Sequence, residues 1–333
     1  MEPIILPRIS DQKPLVSVIS ITYNHEPYIR DCLEGFVMQK TNFPVEFIVH
    51  DDASKDHTPD IMREYYEKSP DLFHMIIQRV NHIYRNAPVI PPLLEMAQGK
   101  YIALCEGDDY WTDPLKLQKQ FDFMEANSGY SCCFHNALLL NASTGAIKKY
   151  YRRKIRKDWT LRDVIAGGGG LMPTASMFFR SECIEGYSEF KAGCPVGDYP
   201  MGICLAQKGK VRYSDEIMSV YRMMVPGSWS DRNNNYEVAI RSSNRMLEWL
   251  SRLEQMISEK DAFSYAKGYF LTRIHELKKE YSEIKKDKLA MYYVNHERTS
   301  VKIKYYIKIY FPILVRTKEN CIKIAQKRLF KKD

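Results

Sequence analysis

Three carboxylates stand within four residues in the stretch "YIALCEGDDYWTDPLKLQKQ": Glu106, Asp108 and Asp109, at the exit of an apolar run. Like charges this close repel, more strongly beside a core, so the segment calls for a positive partner. Oxygen-only ligands suit a hard divalent cation such as Mn²⁺ or Mg²⁺. Magnesium uses few carboxylates and takes its other oxygens from water and substrate phosphates, so the set points to a phosphorylated substrate. Asp pairs also serve turns and helix caps. Here Asp113, ahead of Pro114, can cap the next helix by itself, which leaves Asp108 and Asp109 for another role. A second pair, Asp51-Asp52, reads either as the turn of "DASKD" or as acceptors for a base imide or ribose hydroxyls. Tyr23 can stack on that base.

These residues share a place in the pattern. "VSVISIT" is a buried strand ending at Tyr23-Asn24, and "EPYIRDCLEGFVMQ" follows with helical spacing of its apolar residues. A strand over residues 45–50 leads to Asp51-Asp52 and a helix from Thr58 with Pro59 in its first turn. "FHMIIQRV" is a third strand, "PPLLEMAQGK" a helix stopped by Gly99, and residues 101–105 a fourth strand. Strand–helix alternation with short loops predicts an α/β fold, a mostly parallel sheet flanked by helices. Ligands of such sheets bind outside the carboxyl ends of the strands, where all these polar residues fall. Further on come a helix in "PLKLQKQFDFMEAN", a strand in "YSCCFHNALLL", and a helix opened by a Thr160/Asp163 capping box and closed by four glycines. "TASMFFR" is a strand and "VGDYPMGICLAQKGK" a turn into a helix. "VRYSDEIMSVYRM" reads as two short strands and "VPGSWSDRNNN" as a polar loop. The expected boundary lies near Asn235, dividing an α/β domain (1–235) from a helical, basic C-terminal extension (236–333).

No GxGxxG follows the first strand and no GxxxxGK[ST] occurs, which disfavours dinucleotide and P-loop sites. The chain resembles the family 2 glycosyltransferases of the GT-A fold, of the bacterial surface-polysaccharide type. The matching segments are "VSVISITYNHEPYI", "EFIVHDDASKDHT", "AQGKYIALCEGDDYWTDPLKLQKQ", "PTASMFFR", "VGDYP" and "DEIMSVYR", in family order over residues 16–229. The resemblance implies inverting transfer of a sugar from a nucleotide diphosphate donor, a UDP-sugar, to a saccharide or lipid-linked acceptor. It implies that Tyr23 and Asp52 hold the base and that Asp108 and Asp109 match the DxD region, with Asp109 on the metal. Glu106 stands where the first acid of that triplet is usual. Asp198 matches the general base, although an N-cap of the helix at Tyr199-Pro200 explains an Asp there too. Met223 and Met224 occupy the place of a family histidine, and Arg222 with Ser228-Trp229-Ser230 is expected to close over the diphosphate instead. The rival readings are a nucleotidylyltransferase, which would show a Gly- and Arg-rich phosphate loop in place of "ITYNHEPY", and a non-catalytic nucleotide-sugar-binding protein.

The 333 residues carry a formal net charge of +8, concentrated from Lys267 onward and ending in "KRLFKKD". Residues 302–332 interleave Lys and Arg with Tyr, Ile, Phe and Leu, a pattern suited to an anionic membrane surface. No nucleic-acid module accompanies it. Eight scattered cysteines without metal spacing predict reduced thiols, and His135 reads as a core histidine. The start is a poor signal peptide and no apolar run reaches about 18 residues, so the expected location is cytoplasmic or peripheral to the inner membrane face.

Overall fold

The computed structural model describes residues 2–82, 87–153 and 155–310. Its strands are β1 (Ile4–Leu6), β2 (Val16–Thr22), β3 (Val45–Asp51), β4 (Phe73–Ile77), β5 (Tyr101–Leu104), β6 (Tyr110–Trp111), β7 (Tyr130–Asn141), β8 (Ile147–Lys149), β9 (Asp158–Trp159), β10 (Phe178–Arg180) and β11 (Lys210–Met223). They form one sheet in the order β1-β4-β3-β2-β5-β10-β7-β11-β6, with β8 on β7 and β9 on β11. Pairing is parallel through β4, β3, β2 and β5, and again between β7 and β11; β10 enters antiparallel between these blocks.

β2 and β3 are rich in Val and Ile and almost wholly buried, as strands covered on both faces must be. The Ile29–Val37 helix presses Cys32, Leu33 and Phe36 onto them. There Phe36 stacks on Phe47 at 5.1 Å and meets Trp111 edge-on at 5.0 Å. Such ring pairs contribute about 1 kcal/mol each beyond their buried area. Below Trp111 lies Lys116, fully buried, with Nζ 4.1 Å from the indole centroid and donating to Gln120 Oε1 at 2.7 Å. Burial brings its pKa down to about 7.

Three elements differ from the sequence pattern. "VRYSDEIMSVYRM" is one continuous strand, because its polar Ser214-Asp215-Glu216 stretch bulges out of register with β7 without breaking the pairing. The segment expected as a loop contains a short helix, Trp229–Arg232, begun by Ser228, whose Oγ accepts from Asp231 N at 3.3 Å. "TASMFFR" opens with a 3-10 turn, Thr174–Ser176, so only Phe178–Arg180 pairs. The Thr160/Asp163 capping box forms as its residues require.

A second compact unit begins at Arg232 and includes Gly193–Pro195. Its described helices are Tyr236–Leu253, Lys260–Lys278, Tyr281–Ile284, Lys288–His296 and Thr299–Tyr310. Tyr281, Ile284, Tyr293, Val294, Tyr305 and Ile309 share one apolar cluster within it. The basic pattern of residues 302–332 is described only as far as Tyr310; residues 311–333 lie outside the described residues.

Candidate active site

The ends of β2, β3, β5 and β11 meet on one side of the sheet, held by strained and heavily bonded turns. Asn24, Ala53 and Met224, each just past one of these strands, have φ of 54°, 64° and 63°. Positive φ costs a non-glycine residue about 1 kcal/mol or more and persists only where other bonds fix it. Those bonds are present. Asn24 N donates to Ser54 Oγ at 2.8 Å and Asn24 Oδ1 accepts from Lys55 N at 2.8 Å; Met224 N donates to Ser230 Oγ at 2.8 Å.

Asp51 and Asp52 have different surroundings, although neither is exposed. Asp51 is committed to its turn, accepting from Ser54 Oγ and, at 3.1 Å, from Ser54 N. Burial raises its pKa to about 6, against the opposing effect of those bonds. Asp52 Oδ1 accepts from His82 N at 2.7 Å and stands within 4.8 Å of ring nitrogens of His50 and His82. Tyr23, half-buried, continues β2 beside this end of the cleft.

The loop after β5 carries the acidic set. Glu106, Asp108 and Asp109 bring carboxylate oxygens within 4.8 Å of one another. Gly107 permits the approach: a Cβ there would stand 2.7 Å from Thr22 Cβ and 2.8 Å from Thr22 Oγ1. Asp109 is fully buried; its Oδ1 accepts from Arg222 N at 2.8 Å, while Oδ2 has no partner among the described residues. Burial, then Asp108 and Glu106, push its pKa well up. Glu106 opens to solvent at the cleft, yet enclosure, then Asp108 and Asp198, raise its pKa as well. An unpartnered buried carboxylate oxygen among acids fits an oxygen-coordinated cation.

Arg222 reaches the site as a staple. It is 7% exposed, its Nη1 donates to Asp108 O at 2.7 Å, and Nη2 pairs with Asp31. Its guanidinium carbon lies 4.4 Å from the Tyr110 ring centroid and 5.2 Å from that of Tyr28. Trp229, 39% exposed, begins the short helix that Ser230 ties to the end of β11.

Asp198 opens the Asp198–Lys208 helix as its first residue, with Gly197 at the cap position. Its Oδ1 accepts from the adjacent Tyr199 N at 2.8 Å, a bond to the next residue rather than the N2 or N3 contact of an N-cap. Burial raises its pKa to about 6. Gly169 lies against it: a Cβ on Gly169 would stand 3.6 Å from Asp198 Oδ1. Tyr150 donates from Oη to Gly170 O at 2.7 Å, and Tyr221 lies between Tyr150 and the acidic loop, 6.5 Å from Tyr150 by ring centroids. Burial and the charge of Asp198 raise the Tyr150 pKa; burial, Asp109 and Glu106 do so for Tyr221. Tyr150, Tyr221 and Asp31 escape sequence reasoning, since only the fold brings them here.

The family model of glycosyl transferase family 2 matches residues 17–179. The chain is 34% identical over 252 residues to the uncharacterized protein Rv1520 of Mycobacterium tuberculosis, an alignment covering 74% of this chain and 71% of that one. The chain belongs to glycosyl transferase family 2. It is also 24% identical over 238 residues to WfaP of Escherichia coli, a UDP-Glc:alpha-D-GlcNAc-diphosphoundecaprenol beta-1,3-glucosyltransferase, covering 69% of this chain and 84% of WfaP. Among solved structures, Staphylococcus aureus TarS 1-349 in complex with UDP-GlcNAc matches with a TM-score of 0.53 at 19% identity, covering 84% of this chain and 78% of TarS; this likeness concerns the fold. The α/β fold with a helical C-terminal part is that of the GT-A glycosyltransferases, and the protein is a glycosyltransferase.

Proposed function

We propose that the protein is an inverting, metal-dependent glycosyltransferase that moves a sugar from a UDP-sugar to a saccharide hydroxyl in surface polysaccharide synthesis. The observation that carries this reading is the unpartnered Oδ2 of Asp109 within the acidic set, together with Asp198 near enough to influence Glu106. Tyr23 and Asp52 hold the base, and Trp229 covers the donor from the short helix. Arg222 contributes from below, fixing the carbonyl of Asp108 and one oxygen of Asp109. Asp108 and Asp109 would hold Mn²⁺ or Mg²⁺, whose charge when bound offsets the negative charge building on the leaving diphosphate.

Asp198 takes the proton of the acceptor hydroxyl as its oxygen attacks the anomeric carbon from the face opposite the leaving group. The bond from that carbon to the diphosphate oxygen breaks as the new one forms, and the nucleoside diphosphate departs with the electron pair. One displacement gives inversion. A carboxylate whose pKa is about 6 is ionised near neutrality yet remains a better base than an ordinary Asp. The test is Asp198→Asn, which keeps size and the bond from Tyr199 N. UDP affinity in Mn²⁺ should hold while single-turnover transfer falls by about 10² to 10⁴. Near-normal turnover in the mutant would remove Asp198 from the mechanism.

A further inference from the structure

His135 is buried, as a core histidine should be, yet only half of its ring is satisfied. Its Nδ1 lies 2.8 Å from Asn136 O, and a carbonyl only accepts, so Nδ1 carries the proton. Burial, then the charge of Lys116, push its pKa well down, which keeps the imidazole neutral. Nε2 is therefore a bare lone pair, and it has no partner among the described residues. Leaving a buried acceptor without a donor is costly, so the ring calls for an occupant that supplies one.

The same histidine lines a cavity of about 510 Å³ between the Lys116–Ala126 helix and strands β7 and β11. The bulge of β11 borders it: Ser214 matches His135 and Ile217 matches Asn136, so Asp215 and Glu216 stand out of the ladder. Both acids are already engaged. Asp215 Oδ1 accepts from Tyr213 Oη at 2.8 Å, and Glu216 pairs with Lys119 at 2.5 Å. Arg212, also on the lining, pairs with Asp158 at 2.9 Å and lies 5.5 Å from the Phe123 ring centroid. Phe123, Cys133, Phe134, Tyr213 and Met218 give the lining its apolar and aromatic character. Among the described lining residues, His135 Nε2 is the buried nitrogen or oxygen left without a partner.

We propose that this cavity is a second ligand site, taking a small aromatic molecule whose hydroxyl or ring N–H donates to His135 Nε2. Ligand pockets are of this size, mostly apolar, with a few polar groups that fix orientation. The rival occupant is water, but an ordered buried water makes about three hydrogen bonds, and the described lining beside Nε2 is mostly apolar. None of the described lining residues belongs to the acidic loop, and neither Asp52 nor Asp198 is among them. The site therefore stands or falls separately from the donor and base assignments.

The full chain, saturated with UDP and Mn²⁺ and carrying isotope-labelled histidine, is titrated by nuclear magnetic resonance with phenol and with fluorobenzene. The two probes have nearly the same shape, and only phenol has a donor. The His135 Nε2 signal, assigned by through-bond correlation to the backbone, should shift with phenol and stay in place with fluorobenzene. Phenol should bind at least about tenfold more tightly, since fluorobenzene leaves the buried acceptor unmet. Ser214 lines the cavity from a half-buried position, so Ser214→Phe fills the space without disturbing the core. That variant should keep the wild-type Tm and UDP affinity and lose the phenol response. Equal affinity for the two probes, or a His135 signal that phenol does not move, overturns the proposal. So does phenol binding retained in Ser214→Phe, which would place the probe elsewhere. Failure of both probes to bind assigns the cavity to water and overturns it as well.

Discussion

At the scale of single residues, the site combines groups whose folding cost makes sense only with a ligand. Asp109 is the clearest: fully buried, with one oxygen bonded to Arg222 N and the other to nothing among the described residues. Its folded pKa lies above its ordinary value of 3.8, so the stability it contributes is present below about pH 4 and is lost as pH rises through the folded value. Asp109→Asn keeps an oxygen for Arg222 N and removes the charge. It should raise the Tm of the metal-free protein at pH 7.5 by roughly 3–6 °C, corresponding to about 1–2 kcal/mol, while abolishing the stabilisation that Mn²⁺ gives the wild type. Calorimetric scans of both proteins with and without Mn²⁺ check this; a mutant that melts lower and still responds to Mn²⁺ contradicts it. Asp198 supplies a pH signature. Its proton must be absent for it to act as a base, so kcat/KM should fall tenfold per pH unit below about 6, and that acid limb should flatten in Asp198→Asn. A wild-type profile level down to pH 5 would be inconsistent with the assignment.

At the scale of elements, the fold was largely legible in the chain, because periodicity decides buried strands. "VSVISIT" and "VEFIVHD" alternate with helices whose apolar spacing is unambiguous, and both strands appear where the pattern puts them. The acidic loop was legible for a related reason, since three acids cannot stand at the end of a buried strand without a function or a cost. What escaped the sequence were partners distant along the chain. Arg222 pairs with Asp31, 191 positions away, and Tyr150 reaches Asp198 only through Gly170 and Gly169. The bulge in β11 escaped for another reason: Ser214-Asp215-Glu216 carries turn chemistry, and only pairing with β7 keeps it within a strand. The acidic loop's position depends on Gly107, and Gly107→Ala tests that dependence. The added Cβ would stand 2.7 Å from Thr22 Cβ, a buried atom on a strand that cannot retreat. Overpacking of this kind costs about 1–3 kcal/mol, so Tm should drop by roughly 3–10 °C. Mn²⁺ affinity should weaken at least tenfold as the loop shifts; unchanged affinity would mean that the loop adapts without moving its carboxylates.

At the scale of the whole molecule, the second unit ends its described part on a helix with two apolar faces. Tyr305 and Ile309 of the Thr299–Tyr310 helix bury in that unit's cluster, whereas Ile303, Ile307 and Tyr310 are 54%, 43% and 52% exposed. Their i, i+4, i+7 spacing puts them on one stripe, and Lys302, Lys304 and Lys308 lie along the same helix. Among the described residues no helix is long and apolar enough to cross a membrane. A short apolar stripe among lysines is instead the arrangement of a helix lying in an anionic interface, and we propose that this face holds the enzyme on the membrane. Ile303→Ser with Ile307→Ser removes apolar surface without touching the lysines. Burying each isoleucine fully would contribute about 1.5–3 kcal/mol, so loss of the pair should reduce binding to vesicles containing phosphatidylglycerol by about tenfold or more. Because both side chains face solvent, Tm and UDP affinity should not change. Added salt separates the two contributions, since it weakens attraction of the lysines in wild type and mutant alike but leaves the apolar difference between them intact. If the double mutant sediments with the vesicles as fully as the wild type at both low and high salt, the stripe is not the membrane contact.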